Sequence, residues 1–142
     1  MSKSDLGAFD RSLLILAGRP HSAVELARKL RQRGHDGEEV EAAIGRLREV
    51  GYLDDRAFAE SLVGWRSGSR GRRAMASELA ARGVARDVAL EVLGGLDPEA
   101  ELKAARKLVA RDLPNPARAA ARLRRRGFSE DSIRSALRQT AE

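Results

Sequence analysis

The chain has 142 residues, of which 42% are hydrophobic and 34% are charged, and its formal net charge is +6. It contains no cysteine, which excludes disulfides and thiolate metal sites. The first ten residues have no apolar signal-peptide core, and no run approaches the roughly 18 apolar residues of a membrane span, so we expect a cytoplasmic protein without membrane association.

The positive charge is concentrated in the second half of the sequence. Residues 1–65 carry ten basic and eleven acidic side chains, whereas residues 66–142 carry seventeen and ten. Most of the basic residues are arginines, whose planar guanidinium group binds phosphate oxygens in pairs. The charge distribution therefore predicts an anion-binding surface in the second half.

A helical pattern is repeated three times along the chain. After a first helix predicted near Phe9 to Ala17, three segments show the same spacing, with an apolar residue, then leucine four positions later and glycine four positions after that. A helix that ends at a glycine, followed by a short turn and a second helix, explains this pattern. The three segments are Leu26–Gly34, Met75–Gly83 and Ala119–Gly127.

Helix start signals agree with this reading. Ser22 and Glu25 form a capping box, and Asp97-Pro98 and Asn115-Pro116 each place a cap residue before a proline. The glycines are 49 and 44 residues apart, which leaves room for a third helix in each gap. In the first gap, Phe58, Leu62 and Trp65 share one face of such a helix.

The sequence therefore predicts an all-α fold, an elongated and curved array of tandem three-helix repeats. The predicted divisions are an N-terminal helix in 1–20, repeat 1 in 21–68, repeat 2 in 69–113 and a truncated, two-helix repeat 3 in 114–142. Stacked repeats present long surfaces rather than deep cavities. We expect a monomer that binds another macromolecule.

No pattern in the sequence indicates catalysis. His21 and His35 lie in predicted loops and have no partner at metal-ligand spacing. Asp54 and Asp55 fit a helix cap and a favourable first-turn charge better than an acid pair. The chain has no phosphate-binding loop, nucleophile elbow or dinucleotide fingerprint. We therefore expect no enzyme activity, no catalytic residue, no metal and no cofactor.

Two arginine clusters are candidate contacts for a phosphate backbone or an acidic protein surface. Within the second cluster, the residues at positions 118, 122 and 125 share one helical stripe. A solvated helix face is the alternative interpretation. The clusters consist of Arg66, Arg70, Arg72 and Arg73 in a Gly/Ser linker, and of Arg118, Arg122, Arg124, Arg125 and Arg126.

A winged-helix transcription regulator is a second reading of the first repeat, because two short helices there precede Gly51-Tyr52-Leu53. The helix that would enter the major groove carries Glu38, Glu41 and Glu49, which would repel phosphates. The segment after Leu53 should form a β-wing, yet its pattern predicts a capped helix. Sequence-specific DNA recognition is therefore the weaker alternative.

The residues resemble the RecX family, the regulators of the recombinase RecA, along nearly the whole chain. Arg72 departs from the family pattern, which usually has proline after the glycine matching Gly71. The matching residues are Arg19-Pro-His21-Ser22 with Glu25-Leu26, Gly51-Tyr52-Leu53-Asp54-Asp55 with Phe58, Gly71 with Glu78-Leu79 and Gly83, and Arg125-Arg126-Gly127-Phe128-Ser129.

The resemblance implies a protein that binds RecA nucleoprotein filaments in their helical groove and inhibits RecA. Filament extension, strand exchange, ATP hydrolysis and the SOS response would be suppressed, and DNA repair and recombination would be modulated. The arginine clusters would contact single- or double-stranded DNA or an acidic RecA surface. Five first-half residues would support the fold or contact protein, namely His21, Ser22, Tyr52, Asp54 and Asp55.

Overall fold

A computed structural model describes residues 6–141, and the predicted all-α fold is confirmed there, with nine helices and no strand in that range. The ends of the predicted divisions, residues 1–5 and 142, lie outside the described residues. The helices are α1 (Ala8–Gly18), α2 (Ala23–Gln32), α3 (Gly37–Glu49), α4 (Asp55–Arg66), α5 (Arg72–Ala81), α6 (Arg86–Gly94), α7 (Ala100–Asp112), α8 (Pro116–Arg125) and α9 (Glu130–Ala141).

Local sequence explains where these helices begin and end. The Ser22 side chain and Glu25 form the predicted capping box at α2, and Asn115 caps α8 before Pro116. The helices α2, α5 and α8 are each followed by a glycine with positive φ, between 84° and 91°. A residue with a β-carbon rarely adopts this conformation, so the repeated glycine marks the end of each helix. The three glycines are Gly34, Gly83 and Gly127.

Three separate hydrophobic cores divide the helices into three units. The first core joins α1, α2 and α3, the second joins α4, α5 and α6, and the third joins α7, α8 and α9. Leu30, Leu79 and Leu123 hold equivalent positions in the repeated pattern, and each is 0% exposed. Each unit therefore buries its own apolar residues around the leucine of its second helix.

The cores group the helices one helix out of phase with the predicted repeats. The helix α4, assigned to the end of repeat 1, packs on α6 instead, and α7 packs on α8 and α9. As a result, α1 is the first helix of a complete unit, and the third unit is not truncated. The glycine alignment identifies the second and third helices of each unit, but it carries no information on which side the remaining helix packs.

The surface area agrees with an extended arrangement of units. The accessible surface is 8826 Å², compared with roughly 7,200 Å² expected for a compact monomer of this mass. An excess in this direction is expected when the buried residues form three small cores in place of one. Such a chain exposes more contact surface per residue than a single globule does.

Candidate protein and nucleic-acid interface

The first junction joins the first two units at the start of α2. The Ser22 hydroxyl donates a hydrogen bond to the Arg82 carbonyl, at the end of α5. The backbone N–H of Ala23 donates to a carboxylate oxygen of Asp55, 2.8 Å away, in the first turn of α4. The first turn of α2 is thus held by the second unit at two points.

Ion pairs reinforce the first junction. Glu25 lies 3.3 Å from Arg82 and 3.7 Å from Arg19, while Glu78 lies 3.1 Å from both Arg66 and Arg82. Burial alone would raise the pKa of Glu78, but the hydrogen bonds and positive charges of Arg66 and Arg82 lower it. Five side chains, three basic and two acidic, therefore form one network across the junction.

The second junction repeats the arrangement between the second and third units. The N–H of Gly71 donates to the Arg126 carbonyl at 2.9 Å, at the end of α8. The N–H of Arg72 donates to the carboxylate of Glu101 at 3.0 Å, in the first turn of α7. The first turn of α5 is therefore hydrogen-bonded to the third unit in the same way as the first turn of α2 is bonded to the second unit. Gly71 takes the place of Ser22.

The second junction requires glycine, because the two backbones touch. A β-carbon built on Gly71 would lie 2.2 Å from the Gly127 carbonyl oxygen, and one built on Gly127 would lie 2.4 Å from Ala74. Atoms cannot approach so closely without a shift of the chain. The small residue at position 71 thus sets the distance between the two units.

Two predicted site arginines meet at the second junction. Arg70 and Arg126 each donate to the same acceptor, the Ser69 carbonyl, at 3.3 Å. The carboxylate of Glu101 is occupied by the backbone of Arg72 and by two serine hydroxyls, those at positions 129 and 132. Among the described residues no carboxylate pairs with either guanidinium group, so the surface here is electropositive.

The structure divides the predicted arginine stripe on α8. Arg118 and Arg125 are exposed and make no ion pair with any described residue. Arg122 instead pairs with the buried carboxylate of Asp112 at 3.2 Å. Only the two exposed arginines are therefore available to a ligand without breaking an internal contact.

The linker cluster is divided in the same way. Arg66 is held by Glu78, through two hydrogen bonds of 3.1 and 3.2 Å. The side chain of Arg72 reaches the Asp97 carbonyl at 3.5 Å. Arg73 is exposed. The pKa of Glu130 is lowered, mainly because Arg124 donates a hydrogen bond to its carboxylate, and the positive charge of Arg73 adds to this effect.

Two first-half residues of the predicted set, Asp54 and His21, serve local structure. Asp54 is the N-cap of α4, as the sequence predicts. His21 is buried; its Nδ1 donates to the Arg19 carbonyl at 2.9 Å, and its Nε2 accepts from Lys29 at 2.7 Å. Burial lowers the pKa of His21, and the nearby positive charges of Arg19 and Lys29 add to this effect. These residues stabilise the ends of α2 and α4.

A groove beside the first junction was not predicted. Phe58 and Leu62 are buried, but Trp65, expected on the same face, is 81% exposed and lines a cavity of about 400 Å³. A second cavity of about 480 Å³ lies on the other side of Arg19 and Pro20. Helical periodicity places Trp65 on the face of α4 that packs against the core. It cannot show that Trp65 lies at the end of α4, where the groove opens and the side chain is exposed.

The described residues contain no group of three or more histidine, cysteine or acidic side chains that could hold a metal ion. No helix in that part of the chain is both long and apolar enough to cross a bilayer. The candidate interface consists of the groove at the first junction and the arginines at the second junction and on α8.

Family models and sequence relatives agree on the class of protein. The model "RecX, first three-helix domain" matches residues 8–47, and "RecX, second three-helix domain" matches residues 54–93. Relatives named Regulatory protein RecX include those of Chlorobaculum tepidum, 33% identical over 92% of this chain and 86% of that protein, and Stenotrophomonas maltophilia, 37% identical over 90% and 83%. A Thermobifida fusca relative is 42% identical over 71% of this chain but only 56% of that protein.

Solved structures show the same fold. The crystal structure of RecX from Lactobacillus salivarius superposes with a TM-score of 0.79, at 20% identity, over 93% of each chain. A second structure, described as regulatory protein RecX, gives a TM-score of 0.81 at 24% identity, over 91% of this chain and 70% of that one. The residues matched by the two family models coincide with the first two units as the hydrophobic cores define them. On these sequence and fold matches together, the chain belongs to the RecX family of regulatory proteins.

Proposed function

We propose that this RecX-family protein binds RecA nucleoprotein filaments and inhibits RecA, acting as a monomer in the cytoplasm. Inhibition limits filament extension, strand exchange and ATP hydrolysis, and thereby modulates DNA repair, recombination and the SOS response. Family membership supports a regulatory role. An extended body without a metal-binding group among its described residues suits a protein that acts by occupying a surface.

The observation that carries the proposal is the uneven charge of the three units. Residues 97–141 hold eleven basic and six acidic side chains, so the third unit accounts for most of the net positive charge. Its exposed Arg118 and Arg125, together with Arg70 and Arg126 at the second junction, have no carboxylate partner among the described residues. A filament that combines DNA phosphates with protein matches this surface.

The test replaces both exposed α8 arginines, Arg118→Ala with Arg125→Ala. Because neither side chain makes an internal ion pair, the melting temperature should stay within about 2 °C of the wild type. Binding to filaments should weaken, and if both contacts are to phosphate, the salt dependence should lose about two units of slope. Filament affinity at several salt concentrations and the RecA ATPase rate are the measurements.

A matched pair in the first unit controls for net charge. Arg28 and Arg31 are exposed on α2 and also make no ion pair within the described residues, so Arg28→Ala with Arg31→Ala removes the same charge. This variant should keep the affinity and the salt slope of the wild type. If both double variants weakened filament binding equally, the effect would be one of net charge, and a specific binding surface on the third unit would be contradicted.

The winged-helix alternative requires a β-wing that the described residues do not form. The segment after Leu53, where a β-wing is required, is the helix α4, and no strand occurs in residues 6–141. The exposed side of α3 presents Glu38, Glu41 and Glu49. Direct reading of a DNA sequence by α3 is therefore not favoured.

A further inference from the structure

We infer that the groove beside the first junction is the docking site for a protein segment that carries an apolar side chain next to a carboxylate. We call it the α4 groove; it runs between α4 and residues 18–21, with Tyr52 at one end and Trp65 at the other. The inference rests on the proposed function, since the partner segment would belong to the RecA protein of the filament.

The two cavities of the α4 groove are adjacent. These cavities, of about 400 and about 480 Å³, share Arg19, Pro20, Phe58 and Ser61 in their walls. Each cavity has the volume of a typical small binding site. A peptide segment lying along this face of α4 could therefore contact both cavities.

Exposed aromatic rings mark both ends of the groove. Trp65 is 81% exposed and Tyr52 is 64% exposed, although each has a large apolar surface. Tryptophan, tyrosine and arginine are the residues most enriched where protein interfaces gain their binding energy. Covering Trp65 would remove on the order of 150–250 Å² of aromatic surface from water. The groove thus has the composition of a protein contact.

The charge around Trp65 specifies the partner further. Three guanidinium groups, those of Arg19, Arg66 and Arg82, surround two carboxylates, those of Glu25 and Glu78. One positive charge is therefore in excess. Arg19 is the least restrained of the three, 3.7 Å from its carboxylate and with a side chain 46% exposed. A carboxylate on the partner, beside the side chain that covers Trp65, would complete the network.

A single-stranded nucleic acid fits the groove less well. Stacking of a base on Trp65 would bring the phosphate backbone along α4, where Glu78 lines one cavity and Asp54 lines the other. Four arginines without carboxylate partners among the described residues, Arg118 and Arg125 on α8 and Arg70 and Arg126 at the second junction, lie away from this groove. The observations therefore assign protein to the α4 groove and phosphate to the third unit.

The test compares Trp65→Ala with Leu90→Ala, which truncates an exposed apolar side chain on α6 outside the groove. Both variants should fold as the wild type does, because neither side chain is buried. Affinity is measured for RecA filaments on single-stranded DNA and, separately, for the same DNA without RecA. We expect Trp65→Ala to weaken filament binding about tenfold or more, with DNA binding unchanged, and Leu90→Ala to change neither.

Arg19 provides a second variant that tests the charge argument. Arg19→Ala should weaken filament binding by roughly threefold to tenfold, and Arg19→Lys should restore part of the loss by keeping the charge. Equal weakening of filament and bare-DNA binding by Trp65→Ala would make the groove a base-stacking site and overturn the inference. Filament binding unaffected by Trp65→Ala would also overturn it, and would leave the proposed function standing. A wild-type chain that binds no filament would instead overturn the proposed function, and with it this inference.

Discussion

The two junctions use one backbone arrangement with different side chains. In each, the first turn of a second helix donates hydrogen bonds to the end of the next unit's second helix and to a carboxylate in its first helix. At the first junction the Ser22 hydroxyl reaches the Arg82 carbonyl. At the second junction Gly71 has no side chain, and its own N–H reaches the Arg126 carbonyl at 2.9 Å.

The difference decides where positive charge remains available. Glu25 and Glu78 neutralise most of the arginine charge at the first junction. At the second junction, Glu101 is used by a backbone N–H and by serine hydroxyls, and Arg70 and Arg126 share only a carbonyl. The same hydrogen-bonding arrangement thus occurs at two junctions that differ in charge. At the first, carboxylates neutralise most of the arginine charge beside an apolar groove. At the second, the arginine charge is not neutralised, and the basic helix α8 lies beside it.

The largest expected effect tests whether the units on either side of the second junction have equivalent cores. Leu79 and Leu123 occupy the same repeat position and are both 0% exposed. Replacing either with alanine should lower the free energy of unfolding by ~2–5 kcal/mol, because the cavity cannot fully close. Denaturant unfolding of the full chain is the measurement.

The exposed Leu90→Ala should change that free energy by less than about 0.5 kcal/mol and serves as the control. A small effect at Leu79 with a large one at Leu123 would show that the second unit contributes little to stability. Comparable losses would support the equivalence of the two cores.

The next effect tests the close backbone contact of the second junction. Gly71→Ala places a methyl group 2.2 Å from the Gly127 carbonyl oxygen, which must force the units apart. We expect a loss of ~1–3 kcal/mol in the free energy of unfolding, as for other overpacked sites. Chemical denaturation measures the loss.

Gly68→Ala is the matched control, because a β-carbon there meets nothing within 4 Å and its φ is not positive. It should leave the free energy of unfolding unchanged or raise it slightly. If Gly71→Ala were equally harmless, the distance between the second and third units would not depend on glycine.

The smallest effect is a pH dependence of stability caused by His21, which lies beside the first junction. Burial lowers the pKa of His21 below the 6.5 of an unfolded histidine. The folded chain therefore binds a proton there less readily than the unfolded chain does. Its stability should be full above about pH 6.5 and should fall as the pH drops from there through the lowered folded pKa.

His21→Asn removes the titrating group, so its free energy of unfolding should change less than that of the wild type between about pH 7.5 and pH 5.5. Glu78 does not interfere in this window, because its pKa is lowered from 4.5. Identical pH profiles for the two proteins would contradict an effect of His21 on stability.

Most helices and their ends were predictable from the sequence because their causes are local. The start of α7 is an exception: Asp97-Pro98 was expected to begin it, but the helix begins at Ala100, after Glu99. The capping box at Ser22, the cap at Asp54 and the glycine ends at Gly34, Gly83 and Gly127 depend on residues within one or two turns. The regular spacing of leucines also indicated the buried faces. The family resemblance pointed to the right class of regulatory protein because the motifs that carry it coincide with these local helix signals.

The tertiary structure alone decided the phase of the repeats and the availability of the arginines. Arg122 and Arg125 look alike on a helical projection, yet only Arg122 meets a buried carboxylate, contributed by another helix. Likewise Trp65 follows the core periodicity but opens onto a groove between units. Which helix packs on which, and hence which charges are compensated, depends on contacts between distant residues, and spacing along the chain does not encode these contacts.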